Sequence, residues 1–105
     1  MRADVTREAD VQTAVAATLE RFGRLDILLA CAGIALPLAK VTDLSVEDWD
    51  RVMAVNARGV FLSAKHCIPP MRAQGGGAIV IIASDSAYVA APDMAHPTVR
   101  QRGRC

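Results

Sequence analysis

These 105 residues carry no excess of charge, no apolar run of membrane-spanning length and no paired cysteines. Twelve lysines and arginines against 11 aspartates and glutamates leave a formal net charge of +1, which argues against a general attraction to nucleic acid or to a membrane surface. The start, MRADVTREAD, is charged where the apolar core of a secretory signal would lie. Cys31, Cys67 and Cys105 are odd in number and far apart, with neither a CxxC pair nor metal-ligand spacing. They fit reduced thiols in a cytoplasmic protein, and no metal is expected. No internal repeat occurs, and the glycines at 75–77 come before a strand pattern rather than after one, which makes them a turn and not a phosphate cradle.

What is present is apolar and periodic. Hydrophobic residues make up 52% of the chain, enough for one small packed domain. Val11, Ala14, Val15, Thr18, Leu19 and Phe22 follow helical spacing and predict a helix from Thr6 to Phe22, with Thr6 as N-cap and Gly23 closing it. Leu25 to Ala30 is short and almost wholly apolar, the pattern of a parallel strand covered on both faces. Ser45 caps a second, long helix over Val46 to Met71. One of its faces carries Trp49, Val52, Met53, Asn56, Val60, Ala64, Cys67, Ile68 and Met71. Pro69 and Pro70 should kink or end that helix. Ala78 to Ala83 predicts a second buried strand, followed by the loop SDSAYVAAPDMAH.

Helix, strand, helix, strand is the rhythm of an α/β protein with a parallel sheet. Two strands make a poor sheet, so the chain reads as the central βαβ portion of a larger doubly wound domain. Residues 1–96 are expected to form that partial domain. Residues 97–105, with Arg100, Arg102 and Arg104, are expected to be a solvated, disordered tail.

Several ordered motifs make the chain resemble the short-chain dehydrogenases/reductases, which have a Rossmann-type fold. The stretches that carry the likeness are DVTREADVQTAVAATLERFGRLDILLACAGI and WDRVMAVNARGVFLSAKHCIPPMRAQGGGAIVIIAS. The resemblance implies NAD or NADP as cofactor and a small alcohol or carbonyl as substrate. It places Asp4 and Val5 at the adenine side, and aligns Ala30, Cys31, Ala32 and Gly33 with the family's Asn-Asn-Ala-Gly, both asparagines being replaced. Cys31 is equally well read as a core filler. Asn56, in Val55-Asn56-Ala57-Arg58-Gly59, matches an asparagine that holds a water in a proton relay, the alternative being a structural hydrogen bond to backbone. Ser84, at the end of the second strand, matches the catalytic serine, with Ser86 as competitor. The long helix, Val46–Met71, has a family counterpart that packs between subunits, which implies a homo-oligomer.

Two departures bear on activity. Counting from Ser84, the family's Tyr-x-x-x-Lys falls on Pro97 and Gln101. A phenol holds its proton to about pH 10 unless a nearby cation lowers that value, so the pair is what makes it a usable acid or base. The sequence is therefore expected to be inactive by itself, as an oxidoreductase portion or as a degenerate chain that only associates. The abrupt change after His96 points to a shifted reading frame or a mispredicted gene end; the first predicts Tyr-x-x-x-Lys in another frame beyond codon 96.

Overall fold

The computed structural model describes residues 2–84. Ser86, His96, Pro97, Gln101 and the 97–105 segment lie outside the described residues. The element order is α1 (Glu8–Phe22), β1 (Ile27–Ala30), α2 (Val46–Met53), a π-helical turn (Ala54–Arg58), α3 (Gly59–Ala73) and β2 (Ala78–Ile81). The two strands are parallel neighbours, with Ile27 opposite Ala78 and Ala30 opposite Ile81. This is a partial doubly wound α/β arrangement, and the strands run together towards the residues that the sequence singles out.

Helix α1 begins later than predicted, and its N-cap position is Arg7 with no side-chain cap. Thr6 is not the cap. Its amide and hydroxyl both donate to Asp4 Oδ1, at 2.9 and 2.8 Å, because a carboxylate two residues back is the stronger acceptor. At the other end Gly23 takes a left-handed φ of 73° and its amide closes on the Leu19 carbonyl. Val11 is buried, but Phe22 is 67% exposed and lies under the Arg21 guanidinium instead of in the core.

Ser45 caps α2 as expected, its hydroxyl oxygen accepting from the Asp48 amide at 3.1 Å. The long helix then departs from expectation. It continues through Pro69 and Pro70 to Ala73, and its irregularity lies instead at the π turn over Ala54–Arg58. A π turn takes an extra residue, which shifts the phase of the helix where it occurs. Asn56 consequently lies exposed, while Gly59 and Leu62 join Val52, Cys67 and Met71 in burial. Gly59 is there for space. A Cβ on it would sit 2.8 Å from Val5 Cγ2 and 3.2 Å from Val5 Cβ, so the segment entering α1 can cross α3 only over a glycine.

The expected burial of the strands on both faces does not occur. Ile27 and Leu29 are 65% and 59% exposed, and Ile79, Val80, Ile81 and Ile82 are all exposed. Among the described residues α3 packs on β1 and α1 packs on α3, and the core is formed chiefly by Val11, Val52, Leu62, Cys67 and Met71. Among the described residues no helix is long and apolar enough to cross a membrane.

Charge ties α1 to α3. Glu8 Oε1 accepts from Lys65 Nζ at 2.7 Å and lies 2.8 Å from His66 Nε2, giving His66 a partner that no sequence spacing announced. Hydrogen bonds from Lys65 and then His66 hold the Glu8 carboxyl below its ordinary value of 4.5. A carboxyl with a depressed folded pKa contributes stability above its unfolded value, and that contribution disappears as pH falls through the folded one. Asp26, paired with Arg24, and Asp4, bonded to Thr6, shift in the same direction. Stability should therefore decline as pH drops below about 4.5, and Glu8→Gln should flatten that decline. Urea midpoints measured from pH 6 down to about 3 check this. An unchanged slope in Glu8→Gln would rule the tie out as a contributor.

Candidate functional site

In open parallel sheets, ligands approach at the carboxyl ends of the strands. Here those ends lie side by side. The Ile82 amide donates to the Ala30 carbonyl at 3.0 Å, which extends the pairing beyond Ile81 and sets Cys31–Gly33 beside the chain that leads to Ser84. The segment before α1 crosses over the same end of the sheet, because Gly59 lets Val5 settle on α3.

Two adjoining concavities result. A small cavity of about 70 Å³ lies between Val5, the Leu29–Ala32 stretch and the start of α3 at Gly59, Val60 and Ser63. Beside it a groove of about 550 Å³ is bordered by Val5, Ala32 and Val55, with Arg2, Asp4, Arg7 and Asp10 also lining it. Asp4, Val5, Cys31 and Ala32 are thus brought together. Gly33 lies next to Asn56, where a Cβ would meet Asn56 Oδ1 at an ordinary 3.6 Å, so nothing in the described chain demands glycine there. Neither concavity includes Asn56 or Ser84 in its wall.

Asn56 grips the backbone of one residue twice. Its Oδ1 accepts from the Ile34 amide at 2.9 Å and its Nδ2 donates to the Ile34 carbonyl at 2.8 Å. An amide carries two acceptor sites and two donors, so one of each is left over after Ile34. Asp4 is held by its neighbours as well. The Thr6 amide is the largest influence keeping its carboxyl below the ordinary range, followed by the Thr6 hydroxyl. Cys31 is an exposed free thiol, whereas Cys67 is buried and its burial pushes the thiol pKa up. Among the described residues there is no group of three or more His, Cys, Asp or Glu able to hold a metal ion.

Sequence reasoning missed the charged border of the groove. The side of the helix on which Arg7 and Asp10 lie could be known only once the Val5 crossing was known. Val55 was quoted for its motif alone, and its place beside Val5 and Ala32 follows from the π turn.

A family model described as enoyl-(acyl carrier protein) reductase matches residues 1–102. Short-chain dehydrogenase reductase 5 of Arabidopsis thaliana is 41% identical over 92 residues, covering 87% of this chain and 36% of that protein. The chain belongs to the short-chain dehydrogenase/reductase family. Within the family it is also similar to 2-(R)-hydroxypropyl-CoM dehydrogenase of Xanthobacter autotrophicus, at 47% identity over 94 residues, which is 88% of this chain and 38% of the relative. Among solved structures, a 3-ketoacyl-(acyl-carrier-protein) reductase from Brucella melitensis complexed with NADH superposes with a TM-score of 0.83. Its identity is 38%, over 89% of this chain and 40% of that one. The chain therefore spans well under half the length of these family members, and its parallel strand pair with helices is a partial Rossmann-type α/β fold.

Proposed function

We infer that these residues belong to an NAD(P)-dependent oxidoreductase that interconverts a small alcohol and its carbonyl compound. The observation that carries this reading is the gathering of Asp4, Val5, Cys31 and Ala32 around two adjoining concavities at the shared carboxyl end of two parallel strands. Apolar side chains with a carboxylate beside them suit a flat base bearing an amino group, so the residues present fit the adenosine half of a dinucleotide. The glycine-rich turn that would hold the pyrophosphate is not among the 105 residues. When bound, the nicotinamide supplies the hydride.

The chain's own residues take defined parts. Asp4 accepts from the exocyclic amine, and Val5 packs on the ring. Ala32 and Gly33, lacking bulk, let the cofactor approach the backbone. Ser84, past the end of β2, donates its hydroxyl proton in a hydrogen bond to the substrate oxygen. Asn56 holds a relay water with the donor and acceptor that Ile34 leaves over. With Pro97 and Gln101 in place of a phenol and an ammonium, the chain as it stands turns over no substrate. NAD against NADP is left open by these residues.

A second reading, a chain that only associates, draws on apolar exposure. On the long helix Phe61 is 61% exposed and Ile68 39% exposed, a surface suited to a second copy. One experiment separates the two. In a Cys105→Ser background, NAD or NADP at high concentration should slow alkylation of Cys31 several-fold and perturb Trp49 fluorescence, while gel filtration reports size. Self-association with unchanged Cys31 reactivity would favour the second reading and defeat the first.

A further inference from the structure

We propose that Asp10 is a positioning residue for the groove: by accepting from the Asp4 backbone amide it holds the Asp4 carboxylate where it meets the base. The proposal rests on reading the groove as a nucleotide site. Asp10 lies in the first turn of α1 and is half-buried. Its Oδ2 accepts from Asp4 N at 3.0 Å across six residues, and its Oδ1 lies 3.8 Å from Arg7 Nε. The loop between is closed from several sides. The Arg7 amide donates to the Asp4 carbonyl at 3.0 Å, the Asp10 amide to the Arg7 carbonyl at 3.1 Å, and Thr6 gives its amide and hydroxyl to Asp4 Oδ1. Amide, carbonyl and carboxylate of Asp4 are all anchored, and only the amide depends on a side chain outside the turn. Asp10 also lines the groove itself beside Asp4 and Arg7.

Two carboxylates this close give the proposal a diagnostic sign. Removing a neighbouring anion alone lowers the pKa of the remaining acid. Releasing the Asp4 turn from its anchor loses the Thr6 bonds that depress the Asp4 carboxyl, and so raises it. Charge removal and loss of positioning therefore pull in opposite directions. Asparagine at 10 removes the charge and keeps the acceptor, whereas alanine removes both.

The test is NMR titration of the Asp4 carboxyl in the full 105-residue chain without nucleotide, for the parent, Asp10→Asn and Asp10→Ala. Exchange protection of the Ile82 amide serves as the control that the sheet persists. The proposal expects the Asp4 titration to lie higher in Asp10→Ala than in Asp10→Asn, which loses the charge alone, and the Asp4 amide to lose protection several-fold in Asp10→Ala but not in Asp10→Asn. An Asp4 titration no higher in Asp10→Ala than in Asp10→Asn, with Ile82 still protected, overturns it. Adenosine and inosine titrations then address the nucleotide reading separately, since the carbonyl oxygen of hypoxanthine faces Asp4 unfavourably. The parent should prefer adenosine, and Asp10→Ala should compress that preference several-fold. Equal responses to both nucleosides in the parent would reject the nucleotide reading, and the carboxyl titration alone would still decide the role of Asp10.

Discussion

Leu62→Ala is expected to destabilise the chain by about 2–5 kcal/mol, whereas Phe61→Ala should change stability by no more than about 0.5 kcal/mol. The two residues are adjacent on α3 and the larger one is the dispensable one. Leu62 is 6% exposed in the helix that meets both α1 and β1, while Phe61 is 61% exposed. Deleting the buried isobutyl group loses its transfer free energy and leaves a void that close-packed neighbours fill only in part. Domains of this size have a total stability of roughly 5–15 kcal/mol, so the Leu62 variant should lose much of its resistance to urea. Urea titrations at low protein concentration, where association through Phe61 cannot contribute, give the comparison. Equal losses for both variants would mean that the helix face is wrongly assigned.

Leu62 also shows where sequence periodicity stops being informative. Counting at 3.6 residues per turn from Ser45 predicts Asn56 and Val60 on the apolar face and leaves Leu62 out. The π turn at Ala54–Arg58 shifts the phase, and the composition AVNAR holds nothing that announces it. What was legible came from local rules with strong physical causes. Ser45 caps α2, Gly23 ends α1 in the left-handed region, and two apolar runs of strand length pair in parallel. The family likeness singled out Asp4, Val5, Cys31 and Ala32, and these four line two adjoining concavities. What was not legible depends on contacts distant in sequence. Asn56 reaches Ile34 across 22 residues and Glu8 reaches His66 across 58. The open sheet faces were equally hidden, because the same apolar run describes a strand covered on both sides and one awaiting a cover.

The second large effect concerns Gln74, which does at the start of β1 what Asn56 does after its end. Gln74 Oε1 accepts from the Leu25 amide at 3.0 Å, and Nε2 donates to the Leu25 carbonyl at 2.7 Å and to the Gly76 carbonyl at 3.1 Å. One side chain thereby joins the end of α3, the turn behind it and the entry to β1 across 49 residues, in partly buried surroundings. Gln74→Met removes every bond and should cost about 2–3 kcal/mol at any pH. Gln74→Glu should cost at least as much at neutral pH, for a different reason. An ionised carboxylate still accepts from Leu25 N–H, but it turns a second oxygen towards the carbonyls it should bond and towards Asp26 Oδ1, now 3.3 Å from Nε2. Protonation restores a donor to the Leu25 carbonyl. The folded state thus favours the protonated acid and raises its pKa above the unfolded value. The deficit should be smallest below that unfolded value and grow as pH rises through the folded one. The quantity to measure is the stability difference between each variant and the parent from about pH 4 to 8, which removes the acid sensitivity of Glu8 and Asp4 common to all three. A Gln74→Glu deficit that stays flat with pH while Gln74→Met shows its full loss would mean that the donated bond to Leu25 contributes nothing, and that Gln74 holds the strand by its acceptor alone.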